Sequence, residues 1–565
     1  MLFYEKGYLN MFLTIKNNIQ NKIEAVYGIV TAVEASKYEG SDLAMPLFNL
    51  AKKTSRPIME LASEIKLLLK EEPFIKETFF ERGFLNIVLD RKTFAVQVLD
   101  EIETTKDSYG SLPSNGKTVV IDYSSPNIAK SFSVGHLRST VIGASLYKIY
   151  EKRGYKAIGV NHLGDWGTQF GKMIVAYDMW GNEEGLLERP IDYLQSLYVR
   201  FHEASKENPT LEDKAREVFK QLEDGDQRVT KMWEKFREQS LTEFKLMYEL
   251  LGVSFDYYQG EAFYNDKMDR IVMILEDKKL LEEDDGAMIV RLDNFDMPPA
   301  LIKRTDGATL YMTRDLAALL YRHESCHFDK MLYVVGNEQK LHFRQLKTVS
   351  DLMGYNFDIT HVNFGLVLMD GKKMTTRGGK VVRLYDVIET AVELAKTAIE
   401  QKNPNLENKH EVAKAVGVSA VIFNDLKNDR NLDIDFDLEN MVSFEGFTGP
   451  YLQYSSVRIY SLLKGTEKGI KKNLEVYEDD LAFKLVVILS QFSQTLDKAV
   501  TENGPQHISR YLLNLAQAFN QFYGAHRIIV EDPKTLSANI HLISAVRTVL
   551  NEGMRLLGMQ VLNEM

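Results

Sequence analysis

Only one cysteine, Cys326, occurs among the 565 residues. An intramolecular disulfide and a cysteine-rich zinc site are therefore excluded, and the composition fits a reducing compartment. Long apolar runs are missing as well, since nothing approaches the ~18 uninterrupted residues of a membrane span. The opening Met1-Leu-Phe-Tyr-Glu-Lys-Gly7 puts charge where a secretory signal needs its apolar centre. Cytoplasmic residence, with no membrane as partner, is the expectation. Excess positive charge is also lacking: a formal net charge of −11 argues against a protein that coats nucleic acid over its whole surface, although a local basic groove fits within an acidic total. No internal repeat or low-complexity tract is evident. What is present, 45% apolar and 26% charged residues, is the make-up of a globular chain long enough for several separate cores.

The stretch from Lys117 to Gly154 organises the rest. Thr118-Val-Val-Ile121, closed by Asp122, has the β-branched composition of a buried strand. Leu137, Val141, Ile142, Leu146, Ile149 and Tyr150 then recur at helical spacing, with Gly154 as the stop. Between them runs Tyr123-Ser-Ser-Pro-Asn-Ile-Ala-Lys130-Ser-Phe-Ser133-Val-Gly135-His136. A loop from a strand end to a helix N-terminus is where an α/β fold binds phosphate-bearing ligands. Gly135 lets a flat base or a phosphate approach the backbone, His136 supplies hydrogen bonds, and Lys130 supplies charge.

The wording of this loop goes further than its spacing. Ser124-Ser-Pro-Asn-Ile-Ala-Lys130 followed by Val134-Gly-His-Leu-Arg-Ser-Thr140 resembles the HIGH region of class I aminoacyl-tRNA synthetases, in its arginyl-tRNA synthetase form. The resemblance extends over nearly the whole chain. It implies an α/β fold: a doubly wound, Rossmann-like parallel-sheet catalytic domain over 116–440 with a helical insertion at about 176–260. An N-terminal α+β domain (1–115) and a C-terminal all-helical bundle (441–565) would flank it. One departure is that the first histidine of the signature falls at Ser133. Its hydroxyl can still bond a phosphate oxygen but carries no proton charge, so His136 is expected to do more.

The remaining segments follow the same resemblance. Gly83-Phe84-Leu-Asn86 looks like the end of a tRNA-contacting N-terminal domain, making Phe84 and Asn86 candidate RNA contacts; a small α+β domain without a ligand stays open. His162-Leu-Gly164-Asp165-Trp-Gly-Thr-Gln169-Phe-Gly171 interleaves glycines with polar and planar groups, and in the family such a segment lines the ATP and amino-acid pocket. The long charged helical patterns after Ala176 read as a solvated face. The fold resumes near Leu281, with Gly286–Arg291 as a strand candidate.

Tyr311 and Asp315 lie four apart on a helical pattern, hence on one face, and Gln339 follows the strand Lys330–Val335. The resemblance implies that these three hold arginine. A guanidinium is planar and always charged, so its pocket wants a carboxylate for bidentate pairing, a further acceptor and an aromatic face. Ser125 and Asn127 would sit near the α-amino end, with Asp122 balancing the ammonium. Read alone, Asp315 is more readily a helix-start carboxylate facing the dipole, and it is the ordered set with Tyr311 and Gln339 that favours the pocket.

Lys373-Met374-Thr-Thr376-Arg377-Gly-Gly-Lys380 resembles the second class I signature, KMSK, with its last lysine replaced by Thr376. Glycine-bounded lysines can close over polyphosphate and neutralise developing charge. The resemblance implies catalytic roles for Lys130, Ser133, His136 and Lys373, because arginyl enzymes lacking the second lysine carry one at the Lys130 position. ATP contacts fall to Gly135, His136, His162, Gly164, Asp165, Gln169, Lys373, Met374, Thr376 and Arg377. From Ala391 on the pattern is helical. Tyr451, Gln453 and Arg458 carry the family's wording, Tyr523 and Arg527 offer rings and charge to unpaired bases, and Ser544-Ala-Val-Arg547 loosely matches its Asp-Ala-Leu-Arg motif. The expected reaction is ATP-dependent attachment of L-arginine to tRNA(Arg) by a monomer, with Mg2+ arriving on ATP and no permanent metal. A catalytically impaired tRNA- or protein-binding relative, motivated by Ser133 and Thr376, and a class I synthetase for another amino acid remain as alternatives. Deleting the chain from about Phe444 is expected to abolish charging while leaving the catalytic fold.

Overall fold

The computed structural model describes residues 11–36, 38, 40–304, 311–369, 371–373, 382–466 and 471–565, with backbone alone at 11, 369, 372 and 373. After the helix Met11–Tyr27 comes a four-stranded antiparallel sheet in the order Glu34–Ala35, Leu43–Pro46, Phe84–Leu89, Ile75–Glu81. Leu85, Ile87 and Leu89 alternate into its core against Leu61, Ile65 and Leu69 of the helix Ile58–Leu69. The helix Arg91–Thr105, capped by the Asp90 carboxylate accepting from Thr93 N at 3.2 Å, leads into the centre.

Five parallel strands form the central sheet. Thr118–Asp122 lies in the middle, with Lys156–Asn161 and then Tyr257–Tyr258 on one side, and Lys330–Tyr333 and then Ile359–His361 on the other. Val119, Val120 and Ile121 are buried, as a run covered on both faces requires. The chain order reverses between Thr118–Asp122 and Lys330–Tyr333, which makes their carboxyl ends the topological switch point. Ala287–Val290 does not join this sheet. It pairs with Glu282–Asp284 and Ala300–Lys303 in a separate antiparallel sheet, because Asp285 and Gly286 (φ 49° and 76°) turn the chain back at once.

The helix Val134–Lys152 buries its predicted apolar stripe, but it is covered all round, with Arg138 and Lys152 inside too. Gly143 lies against Tyr123, where a Cβ would run into that side chain. Gly143→Ala is expected to cost about 1–3 kcal/mol through overpacking, read as a lower midpoint of thermal unfolding. An unchanged midpoint would mean that Tyr123 moves aside freely.

The helical last part is built from Gly449–Leu463, Asp480–Ser490, Phe492–Thr501, Gln506–Ala525 and Pro533–Leu556. Ile508, Tyr511, Leu512, Leu515, Ala516, Phe519 and Phe522 form its buried stripe, so core packing accounts for them. This part is not detachable in the way the sequence suggested. One apolar cluster runs through all three regions, with Phe94 edge-on to Phe483 at 5.7 Å. Lys152 Nζ meets Glu552 at 2.6 Å with both side chains about 2% exposed, Arg153 pairs with Asp497, and Ser145 Oγ donates to Leu556 O at 2.9 Å. Deletion from Phe444 would leave Lys152 and Arg153 as uncompensated charges, so the truncated chain is expected to lose its catalytic fold. Among the described residues no helix is long and apolar enough to cross a membrane.

Candidate active site

At the switch point the loop after Asp122 holds three non-glycine residues in left-handed backbone: Ser124 (φ 73°), Ser125 (49°) and Ala129 (57°). Each such residue costs about 1–3 kcal/mol and persists only where its surroundings fix it. Here they do. Ser124 N donates to Ser139 Oγ at 2.8 Å, and Ser124 Oγ bonds Thr140 Oγ1 and Tyr248 Oη, both at 2.9 Å. Ala129 N donates to Ser240 Oγ at 3.0 Å. Gly164 joins the same loop, since Ile128 N donates to Gly164 O and Gly164 N to Pro126 O, each at 3.1 Å. Asn127 bridges to Gly164 and stays exposed, as does Lys130.

Asp122 is buried and already has a cation. Arg322, from the helix Tyr311–Cys326, places Nη1 at 2.8 Å from Asp122 Oδ2, while Ser125 Oγ donates to Oδ1 at 2.9 Å. The charge of Asp122, expected to balance a substrate ammonium, is thus already paired with a fixed guanidinium, and Arg322 is a residue the sequence reading missed. Its Nη2 lies 3.2 Å from His162 Nδ1, which makes Nδ1 the acceptor and leaves the proton on Nε2. Burial holds the His162 pKa below its usual value, and Arg322 adds to this against Asp122 and Asp315. The ring stacks on Tyr264 at 5.5 Å.

His162 Nε2 points toward the second wall, 4.0 Å from Asp315 Oδ1. Asp315 Oδ2 is 2.6 Å from His342 Nε2. Burial alone would raise the Asp315 pKa, but the His342 hydrogen bond and the nearby imidazole and Arg322 charges hold it below the usual carboxylate value. Asp315 lies beyond the first turn of its helix, so the dipole does not account for it. Tyr311, one turn earlier, is 67% exposed, and Gln339 is exposed where the helix Lys340–Leu352 begins. Asp315 Oδ2 thus already accepts one hydrogen bond, from His342, and the carboxylate keeps further lone pairs for the pairing expected of it. Glu261, also missed, is half-buried 3.9 Å from Arg314; burial, with the charge of Asp315 adding, pushes its carboxyl up to about 7.

The chain that follows the second signature meets the first one in space. Ser133 caps the helix Val134–Lys152, and its backbone N–H and its Oγ each lie 3.0 Å from His136 Nδ1. Nδ1 is thereby the acceptor and Nε2 carries the proton. The Ser133 hydroxyl is buried against the imidazole, so the expected bond to a phosphate oxygen gives way to a role in orienting His136. Gly135 is exposed on the first turn. Val134 N donates to Val382 O at 3.2 Å and Leu384 N to Phe132 O at 2.9 Å, so the chain leaving the basic loop returns beside the first signature. Lys373 lies in the hairpin of Val367–Met369 with Lys372–Lys373; Met374, Thr376, Arg377 and Lys380 are outside the described residues. Gln169 is half-buried on the first turn of Thr168–Trp180. Asp165 is turned inward, its oxygens accepting from Arg237 Nε at 2.8 Å and Ala262 N at 2.9 Å. The ATP contact expected of it is therefore replaced by a part in holding the loop.

Of the candidate RNA contacts, Phe84 is 40% exposed, edge-on to exposed Phe48. Asn86 is 2% exposed and its Oδ1 faces Ser36 and Ser41, and Gln453 is fully buried with Nε2 donating to Ser419 Oγ and Gln560 O. Both are corrections: packing has taken the amides that RNA would need. Arg458 lies between the rings of Tyr454 (4.9 Å) and Tyr523 (5.0 Å), and Asn520 Nδ2 donates to Tyr451 Oη at 2.8 Å. Arg527 is exposed. Among the described residues, the one His/Asp/Glu cluster with metal-ligand spacing, Asp100, Glu103 and His541, lies elsewhere and already holds Lys472 Nζ at 3.2 Å from Asp100.

A doubly wound sheet with the first signature loop at its switch point, and the chain after the second returning beside that loop, is the catalytic arrangement of a class I aminoacyl-tRNA synthetase, and residues 98–438 match the family described as class I (R) tRNA synthetases, catalytic domain. Residues 13–89 match the arginyl-tRNA synthetase N-terminal domain and 452–565 the DALR anticodon-binding domain. The chain belongs to the arginyl-tRNA synthetase family. It is 50% identical over 537 residues to an arginine–tRNA ligase of Exiguobacterium sibiricum, covering 94% of this chain and 95% of the relative. It is 47% identical over 562 residues to arginine–tRNA ligase 2 of Bacillus anthracis, covering 99% and 100%. The Thermus thermophilus arginyl-tRNA synthetase superposes with TM-score 0.82 at 22% identity over 98% of this chain and 100% of that one.

Proposed function

We propose that the chain is an arginine–tRNA ligase acting on L-arginine, ATP with Mg2+, and tRNA(Arg), as a monomer in the cytoplasm. An arginine carboxylate oxygen attacks the α-phosphorus of ATP, the bond to the bridging oxygen breaks, and pyrophosphate leaves. A terminal ribose hydroxyl of tRNA then attacks the carbonyl carbon of the adenylate, releasing AMP. No side chain forms a covalent bond, so catalysis is positioning and charge stabilisation. His136 Nε2–H, Lys130 and the Lys373 loop would meet the phosphates, with Gly135 and the His162–Gln169 segment beside the nucleotide. Tyr311, Asp315 and Gln339 would take the guanidinium; Ser125, Asn127 and Asp122 would take the α-amino end. Exposed Phe84 and the Tyr451–Arg458–Tyr523–Arg527 surface would meet tRNA.

The observation carrying this reading is the position of Asp315, held ionised and opposite the signature loop, in a chain of this family. An impaired relative is disfavoured because Ser133 keeps His136 oriented. Purified protein is expected to charge tRNA with arginine and not with lysine or glutamine. Asp315→Asn removes a hydrogen bond between charged groups worth about 1.5–3 kcal/mol, so the arginine KM should rise roughly 10- to 100-fold with little change in the ATP KM. Equal shifts in both constants would take Asp315 out of the pocket.

A further inference from the structure

We infer that His342 is a positioning residue for arginine selection, fixing the Asp315 carboxylate so that one oxygen is held ready for a guanidinium. The inference rests on the arginine pocket proposed above and adds a residue to it. His342 sits on the first turn of the helix Lys340–Leu352, three residues after Gln339. That turn thus bears both an exposed amide on the proposed pocket and the imidazole that grips the opposite wall. Its Nε2 lies 2.6 Å from Asp315 Oδ2, short for a hydrogen bond and suited to a charge-assisted one. Because Asp315 is an acceptor, the proton of this bond belongs to His342.

The other carboxylate oxygen is placed differently. Oδ1 is 4.0 Å from His162 Nε2, beyond hydrogen-bond distance, and His162 is itself committed through Nδ1 to Arg322. The carboxylate is thus tied at Oδ2 and available at Oδ1. An untied aspartate rotates about its terminal torsion, and a planar fork meeting it must first pay that ordering entropy. His342 removes this freedom in advance. The neighbouring ring makes the anchor rigid: Phe343 packs on Tyr333 at 4.8 Å and on His361 at 4.6 Å. The same bond opposes the tendency of the half-buried carboxyl to take up a proton, which would abolish its attraction for a cation.

The test is steady-state ATP–pyrophosphate exchange by His342→Leu, His342→Gln, Asp315→Asn and Asp315→Asn/His342→Leu, with citrulline, the uncharged isostere of arginine, as a competitive inhibitor. A glutamine amide reaches as far as Nε2 and donates as it does. His342→Leu is expected to raise the arginine KM roughly tenfold while leaving the ATP KM and the citrulline inhibition constant near their wild-type values. His342→Gln should return most of the loss, and the double variant should be no worse than Asp315→Asn alone. An unchanged arginine KM in His342→Leu, parallel shifts for arginine and citrulline, or full additivity with Asp315→Asn would overturn the inference while leaving the pocket intact. No effect of Asp315→Asn on the arginine KM would instead overturn the pocket reading, and this inference with it.

Discussion

Lys130→Ala is expected to lower arginine-dependent ATP–pyrophosphate exchange about 100- to 1000-fold, the loss found when one preorganised charge-stabilising donor is removed, roughly 2.7–4 kcal/mol. The second signature here ends in Thr376, so in the proposed reaction the charge expected of its last lysine at the α-phosphate is assigned to another cation. Lys130 stands six residues before His136, exposed, with no ion pair or hydrogen bond to another described residue. It follows directly on Ala129, whose left-handed backbone is pinned by Ser240, so the point from which Lys130 departs is fixed although its side chain is free to reach. Its charge already lies close enough to His136 to act on that imidazole. If Lys130 supplies the missing cation, Lys130→Ala with Thr376→Lys should recover part of the exchange rate. Near-normal exchange in the single variant would hand the role to Arg377 or Lys380, or leave Lys130 as a solvated surface group.

The strand Thr118–Asp122 and the helix Val134–Lys152 were legible because local periodicity and composition determine such elements. Less legible was what surrounds the helix. Arg138, Lys152 and Arg153 fall outside the apolar stripe read from the sequence, yet each is buried against a carboxylate, at Asp425, Glu552 and Asp497. Their partners come from helices hundreds of residues later, and no window along the chain contains both halves of such a pair. Arg322 with Asp122 is the same case inside the candidate active site. His342 escaped for a different reason: three residues past Gln339 it looks like any solvated first-turn residue, and only the crossing of two helices brings it to Asp315.

The misassigned RNA contacts have a common cause. Asn86 lies on a strand between Phe84 and Val88, on the face opposite Leu85 and Ile87, where exposure is the default for a polar residue. Ser36 and Ser41 close over that position and give its amide internal partners. Gln453 lies one turn before Val457 on a helix covered by Ser419 and Gln560, so family wording there reflects packing. Polar residue type marks hydrogen-bonding capacity; whether the partner is protein or RNA depends on tertiary neighbours that the local pattern does not contain.

His136→Ala should depress adenylate formation about as far as Lys130→Ala, roughly 100- to 1000-fold, and much further than Ser133→Ala. His136 Nδ1 accepts from the Ser133 backbone, so the ring's donor is Nε2–H. Ser133→Ala keeps that backbone N–H and removes only the hydroxyl contact at 3.0 Å. Its expected cost is a helix-cap penalty of about 0.5–2 kcal/mol in stability with a small loss of rate. His136→Gln retains a donor near Nε2 and should recover part of the alanine loss. Burial, with Lys130 adding, lowers the His136 pKa from 6.5 to about 4, so the ring is neutral throughout the physiological range. Because the unfolded chain binds the proton more readily, this group's contribution to stability is fully present above about pH 6.5 and is lost as the pH falls toward 4. Catalysis by a neutral donor shows no His136 inflection between about pH 6 and 8. An exchange profile whose inflection in that window disappears in His136→Gln would make the residue a titrating acid, and equal losses for Ser133→Ala and His136→Ala would overturn their ranking.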